Sequence, residues 1–127
     1  MNRDEQVFAF ERLEVWQSAR KLVRRIYAKT RTFLREEHFG LRLQVRRAIV
    51  SVASNIAEGT SRRSTNDKVR FIEIAYGSLM EVYCRLKIAS DLKMVTDDDF
   101  SELKPEIFLI ANKLSALKRT YVGEPPR

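Results

Sequence analysis

The chain has 127 residues, with 24 Lys and Arg against 17 Asp and Glu, four Gly, three Pro and one Cys. That length suits one domain with a real hydrophobic core, and no run reaches the ~18 apolar residues of a membrane span. The start, Met-Asn-Arg-Asp-Glu-Gln, lacks a secretory apolar segment, and a lone Cys84 excludes an intrachain disulfide framework. We therefore expect a cytoplasmic chain without a membrane partner, in which Cys84 is a buried, inert thiol.

The charge is uneven. Residues 1–70 carry 16 Lys and Arg against 8 Asp and Glu, whereas residues 71–127 carry 8 against 9. A surplus confined to one half points to an anionic partner, nucleic acid first.

Residues 1–10 read as a lead-in whose Phe8 and Phe10 can tuck against the body. Helix 1 is expected over about 11–33. Ala19, Leu22, Val23, Ile26, Thr30 and Phe33 share one face, with Trp16 and Tyr27 at its margin. Arg20, Lys21, Arg24, Arg31 and Arg35 fall within an arc of ~100° on the opposite face. Between Arg12 and Arg35 the only acid is Glu14, so pairing along the helix cannot neutralise this ridge.

Helix 2 is expected over about 39–58. Leu41, Val45, Ala48, Val52 and Ile56 mark its apolar face, widened by Ile49, Val50 and Ala53. Arg47, Ser51, Ser54, Asn55 and Glu58 form a second, polar stripe. Buried polar groups need partners, so the stripe is expected to meet polar groups on another helix. Gly59 is expected to close the helix at its C′ position.

Ser64-Thr-Asn-Asp67 reads as the cap that opens helix 3, over about 65–92. Its core positions are Ile72, Ala75, Leu79, Val82, Leu86 and Ala89, a heptad-like seam. Thr96 caps helix 4, over about 97–121, and Asp97, Asp98 and Asp99 suit its N-terminal dipole. Phe100, Leu103, Ile107, Ile110, Leu114, Leu117 and Tyr121 keep one phase across Pro105, which is expected to kink the helix rather than start it. Residues 122–127 form a tail. Four helices with short links make an all-α, antiparallel up-down-up-down four-helix bundle, a single domain over 1–127.

With the turn between helices 2 and 3 near residue 62, residues i and j lie level when they sum to about 124. Ser51 then faces Glu73, and Arg47 comes within a turn of Glu81. Small Gly77 and Ser78 would let the two backbones approach. The structural polar seam is therefore assigned to Gln44, Arg47, Ser51, Asn55, Glu58, Glu73, Ser78 and Glu81, with an Arg47–Glu81 ion pair at its centre.

Catalytic patterns are weak. His38 is the only histidine and sits in a connector, 46 positions from Cys84, so neither a metal set nor a Cys–His pair takes shape. Gly59 and Gly77 are isolated and make no phosphate loop. The three aspartates at 97–99 read as a helix cap rather than a cation site. We expect no enzyme activity, no cofactor and no metal.

Four segments carry a family resemblance: Leu13-Glu-Val-Trp-Gln-Ser-Ala19, Phe39-Gly-Leu-Arg-Leu-Gln-Val-Arg-Arg-Ala48, Ser54-Asn-Ile-Ala-Glu-Gly59 and Ile74-Ala-Tyr-Gly-Ser-Leu-Met-Glu81. Together they resemble the four-helix bundle proteins encoded within intervening sequences of bacterial 23S ribosomal RNA genes. One departure is Leu34 after Phe33, where that family usually has Phe-Pro. The resemblance implies a bundle that assembles into a homo-oligomeric ring, commonly a pentamer. It also implies kinship with accessory proteins of diversity-generating retroelements, which bind nucleic acid and a reverse transcriptase.

Two functions follow. In the first, a basic surface of Arg20, Lys21, Arg24, Arg31, Arg35, Arg42, Arg46, Arg62 and Arg63 binds the phosphates of RNA or DNA with low sequence specificity. Repetition of that surface in an oligomer would strengthen the binding through avidity. In the second, the protein is an interaction scaffold or accessory subunit for a protein partner. Phe71, Ile74, Ile88 and Val50, which lie off the core stripes, would then supply the contact.

Overall fold

The computed structural model describes residues 6–33 and 40–123. Arg35, His38 and the tail beyond 123 lie outside the described residues. A 3-10 turn over Ala9–Arg12 leads into α1 (Glu14–Lys29), followed by α2 (Leu41–Ser61), α3 (Thr65–Asp91) and α4 (Asp97–Val122). The caps form as read: Ser64 Oγ accepts the Asp67 amide at 3.1 Å, and Thr96 Oγ1 accepts the Asp99 amide at 3.0 Å. Asp97, Asp98 and Asp99 fill the first turn of α4, and Gly123, at φ 75°, closes its last.

Side-chain pairings set the helix directions. Ser18 meets Lys113 while Lys29 meets Asp99, so α1 and α4 run antiparallel. Ser51 bonds Ser78 while Gly59 packs on Phe71, so α2 and α3 do too. Arg42 and Arg46, at the start of α2, reach the end of α1. Glu73 pairs with Lys118, and Tyr83 meets Phe100 at a tilt and Phe108 edge-on between α3 and α4. The result is a four-helix bundle. Its core takes Leu22 and Ile26 from α1, Ile49 and Ile56 from α2, Leu79 and Leu86 from α3, and Ile107 and Ile110 from α4, all buried. A second cluster of Phe33, Ala89 and Val95 closes one end.

Several expectations change. Helix 1 is shorter than 11–33. Leu13 is extended (φ −71°, ψ 128°) and separates the 3-10 turn from α1, and Thr30, donating to the Ile26 carbonyl at 2.8 Å, ends it. Phe10 meets Trp16 edge-on, but Phe8 does not tuck in: it is 75% exposed. Cys84 is exposed rather than buried, because it lies on the outward side of α3, off its core seam. As expected, helix α4 begins at Asp97 and continues through Pro105.

The largest change concerns Gly59. It does not stop the helix: α2 runs on to Ser61 and Gly59 is buried within it. A β-carbon there would lie 2.9 Å from Phe71 Cβ and 3.3 Å from the Lys68 carbonyl oxygen. Helix α3 therefore packs on the bare backbone of α2, and this contact resets the register. Ser51 meets Ser78, five positions past the expected Glu73. Gly77, expected to admit a close approach, instead faces open space, with nothing within 4 Å of where its β-carbon would be.

Gly59→Ala should thus cost about 1–3 kcal/mol through overpacking against a β-carbon and a backbone carbonyl, neither of which can swing aside. A lowered urea midpoint with an unchanged slope checks this.

Candidate nucleic-acid interface

The basic residues of α1 divide by helical phase. Arg25 and Lys29 point to α4. Arg25 pairs with Glu106 and, at 3.4 Å, with Glu102. Lys29 Nζ donates to Asp99 at 2.7 Å and to Glu102 at 3.0 Å. Hydrogen bonding to the two carboxylates raises the Lys29 pKa above the ordinary lysine value, and the bond from Lys29 lowers that of Asp99 below the ordinary aspartate value. No acid lies near enough along α1 to neutralise these cations; the acids come from α4, 70 to 81 positions away.

Arg20, Lys21, Arg24 and Arg31 are exposed and form no ion pair among the described residues, and Arg63 behaves likewise. The other assigned cations have structural work. Arg42 donates to the carbonyls of Arg31 and Phe33. Arg46 donates to Thr30 Oγ1 at 2.9 Å and to the Tyr27 carbonyl at 3.0 Å, and lies 4.4 Å over the Tyr27 ring. Together they clamp the C-terminal end of α1, where carbonyls lack helical partners and the dipole favours cations. Arg62 pairs with Glu58 and covers Phe71.

The polar seam is narrower than expected. Ser51 and Ser78 share a hydrogen bond of 2.9 Å, and Asn55 Nδ2 donates back to the Ser51 carbonyl and hydroxyl. Glu73 turns instead to Lys118. Arg47 and Glu81 form no ion pair, and both are exposed, as is Gln44. They lie on the outer flanks of α2 and α3 rather than between the helices, so solvent takes the place of the partner. The structure does not bring Glu58, Glu73 and Glu81 into one cluster, since the first two pair with different cations.

Freed from Glu81, Arg47 joins a groove that runs along the outside of α1 and α2. Three adjoining hollows of about 560, 390 and 540 Å³ share Val50, Ser54 and Ala57. The floor is small: Val50, Ala53, Ser54, Ala57 and Ser61. Arg20 and Arg24 stand on the α1 side, with Arg46 and Arg47 at one end and Phe8 and Phe10 at the other. From Arg47 to Ser61 the floor is about 21 Å long at 1.5 Å per residue. Glu58 is the one carboxylate along it among the described residues, and Arg62 already neutralises it. Such a trough of cations over small side chains admits an extended polyanion.

The sequence model described as 23S rRNA-intervening sequence protein matches residues 11–116. The chain belongs to this family. A crystal structure of a protein with unknown function from the S23 ribosomal protein family of Bacteroides thetaiotaomicron VPI-5482 superposes with a TM-score of 0.77. It is 18% identical and covers 83% of this chain and 98% of its own, which establishes the shared fold. Comparison with curated proteins gives no match. The family's sequence span includes α1, α2 and α3 and most of α4; Phe8 precedes it.

Arg46→Ala should destabilise the fold by ~1–2 kcal/mol, because it removes charge-assisted bonds at a helix end, whereas Arg24→Ala should stay within ~0.5 kcal/mol. Urea unfolding of both variants separates the clamp from the rim. Asp99→Asn should lower the melting temperature at neutral pH. A depressed pKa stabilises above the unfolded aspartate value and is lost as pH falls through the folded one, so variant and parent should converge once the pH is well below about 3.9. Thermal scans across that range check the sign.

Proposed function

We propose that the protein is a non-catalytic, homo-oligomeric nucleic-acid-binding protein of the cytoplasm, with RNA as the foremost ligand, and that it acts through the α1–α2 groove. The observation that carries this reading is the set of rim cations, Arg20, Arg24 and Arg47, that no carboxylate among the described residues neutralises. Phosphates would displace counterions from them, with affinity that falls steeply with salt and little dependence on sequence. The exposed thiol of Cys84 suits a reducing compartment.

Self-association has its own support on α3. Arg70, Ile74, Gly77, Glu81 and Ile88 share the outward face, with Ile74 and Ile88 41% and 45% exposed. A glycine inside a helix costs about 0.5–1 kcal/mol relative to alanine, and among the described residues no atom lies within 4 Å of where a β-carbon on Gly77 would be. A face that is flat, part apolar and marked by both charge signs suits a second copy of itself. The alternative function, a scaffold or accessory subunit for another protein, would use this same face.

An RNA titration followed by anisotropy at two salt concentrations tests the groove. Binding at physiological salt that weakens as salt rises is expected, and Arg24→Glu with Arg47→Glu should reduce it about tenfold or more while leaving the fold intact. Salt-independent binding, or none, would favour the scaffold. Sedimentation of the Ile74→Glu, Ile88→Glu variant should show dissociation to a smaller species.

A further inference from the structure

The groove ends in an open aromatic stack. The rings of Phe8 and Phe10 are parallel to within 5°, with centroids 6.3 Å apart, and Phe10 meets Trp16 edge-on at 5.0 Å. The Arg20 guanidinium lies 5.4 Å over Trp16. Phe8 belongs to neither core cluster, yet it is held in place: its amide donates to the Glu11 carboxylate at 2.7 Å, and Gln17 secures the Glu11 carbonyl at 2.9 Å. One face of the ring meets Phe10, and the ring as a whole is 75% exposed. An exposed phenyl ring fixed by a cap, at the end of a cationic trough, is a platform for one more planar ring.

We infer that the groove takes single-stranded nucleic acid, with its phosphates along Arg20, Arg24 and Arg47 and an unpaired base stacked on Phe8. This rests on the phosphate-binding reading of the groove and narrows its ligand. A duplex keeps its bases stacked on one another and presents none to Phe8, so it can use only the cationic rim. Every base has an aromatic face, so the platform adds affinity without choosing a sequence. The stack thus selects strandedness, which the arginines alone do not.

The test uses the full chain, a labelled oligouridylate of about a dozen nucleotides and an RNA duplex of the same length, at one salt concentration. The single strand should bind more tightly. Phe8→Ala should weaken it by about 5- to 150-fold, the range covered by loss of one stacked base, and leave the duplex unchanged, while Phe8→Tyr should keep the parent affinity. Circular dichroism verifies that the variants remain helical, as expected for an exposed side chain outside the core. Equal affinity for both ligands, or an equal effect of Phe8→Ala on both, overturns the stacking inference and leaves the groove as a phosphate site. Binding of neither ligand at physiological salt overturns the groove reading and this inference together, and the aromatic end would then be a contact for protein.

Discussion

The crossing of α2 and α3 at Gly59 is the contact on which the bundle's alignment depends. Two helices joined by a three-residue turn can pack in more than one stagger, because each offers an apolar seam of similar period. Here the absence of one side chain decides among them. Phe71 sits against the α2 backbone, which slides α3 along α2 until Ser51 meets Ser78. The two hydroxyls then satisfy one another, and Asn55 completes the pairing by donating to Ser51. The remaining polar residues of the stripe are left at the surface.

That alignment also distributes charge. With α4 laid antiparallel along α1, Asp99, Glu102 and Glu106 reach Arg25 and Lys29. These pairs are partly exposed, so each adds modest stability. Their larger effect is to neutralise one flank of α1 and leave the other, Arg20, Lys21 and Arg24, without a counter-charge among the described residues. Arg46 is drawn inward to a carbonyl in the last turn of α1, and Arg42 to carbonyls in the segment that follows it. The cationic surface of α1 and α2 is therefore smaller than their composition suggests, and Arg20, Arg24 and Arg47 line one groove of it. A concentrated field of that kind steers and holds a polyanion better than the same charge dispersed.

The aromatic end of the groove arises from a different cause. Leu13 adopts an extended conformation, so the chain turns back before α1, and the 3-10 turn carries Phe10 onto Trp16 and Phe8 beyond it. Glu11, a residue with no role in the core, holds this return by accepting the Phe8 amide.

Much of this protein could be read from its residues alone. The four helices, the core seams of α3 and α4 and the caps at Ser64 and Thr96 follow from spacing and side-chain chemistry, which act within one or two helical turns. So does the basic character of α1, because charge depends only on composition and helical phase. The segments around Trp16, Asn55 and Gly77 indicated the family without any coordinates. What the tertiary structure decided is everything that depends on which helix lies beside which, and at what height. Gly59 is a stop signal by local rules and a packing site in three dimensions. Arg47 belonged to a buried pair by an assumed register, and the true one leaves it on the groove. Arg25 and Arg24 are neighbours of the same type in sequence, yet an acid 81 positions away pairs with the first and no described acid with the second. Local preferences set elements; the alignment of helices is set by contacts between residues far apart in the chain, and that alignment decides which charges remain available to a partner.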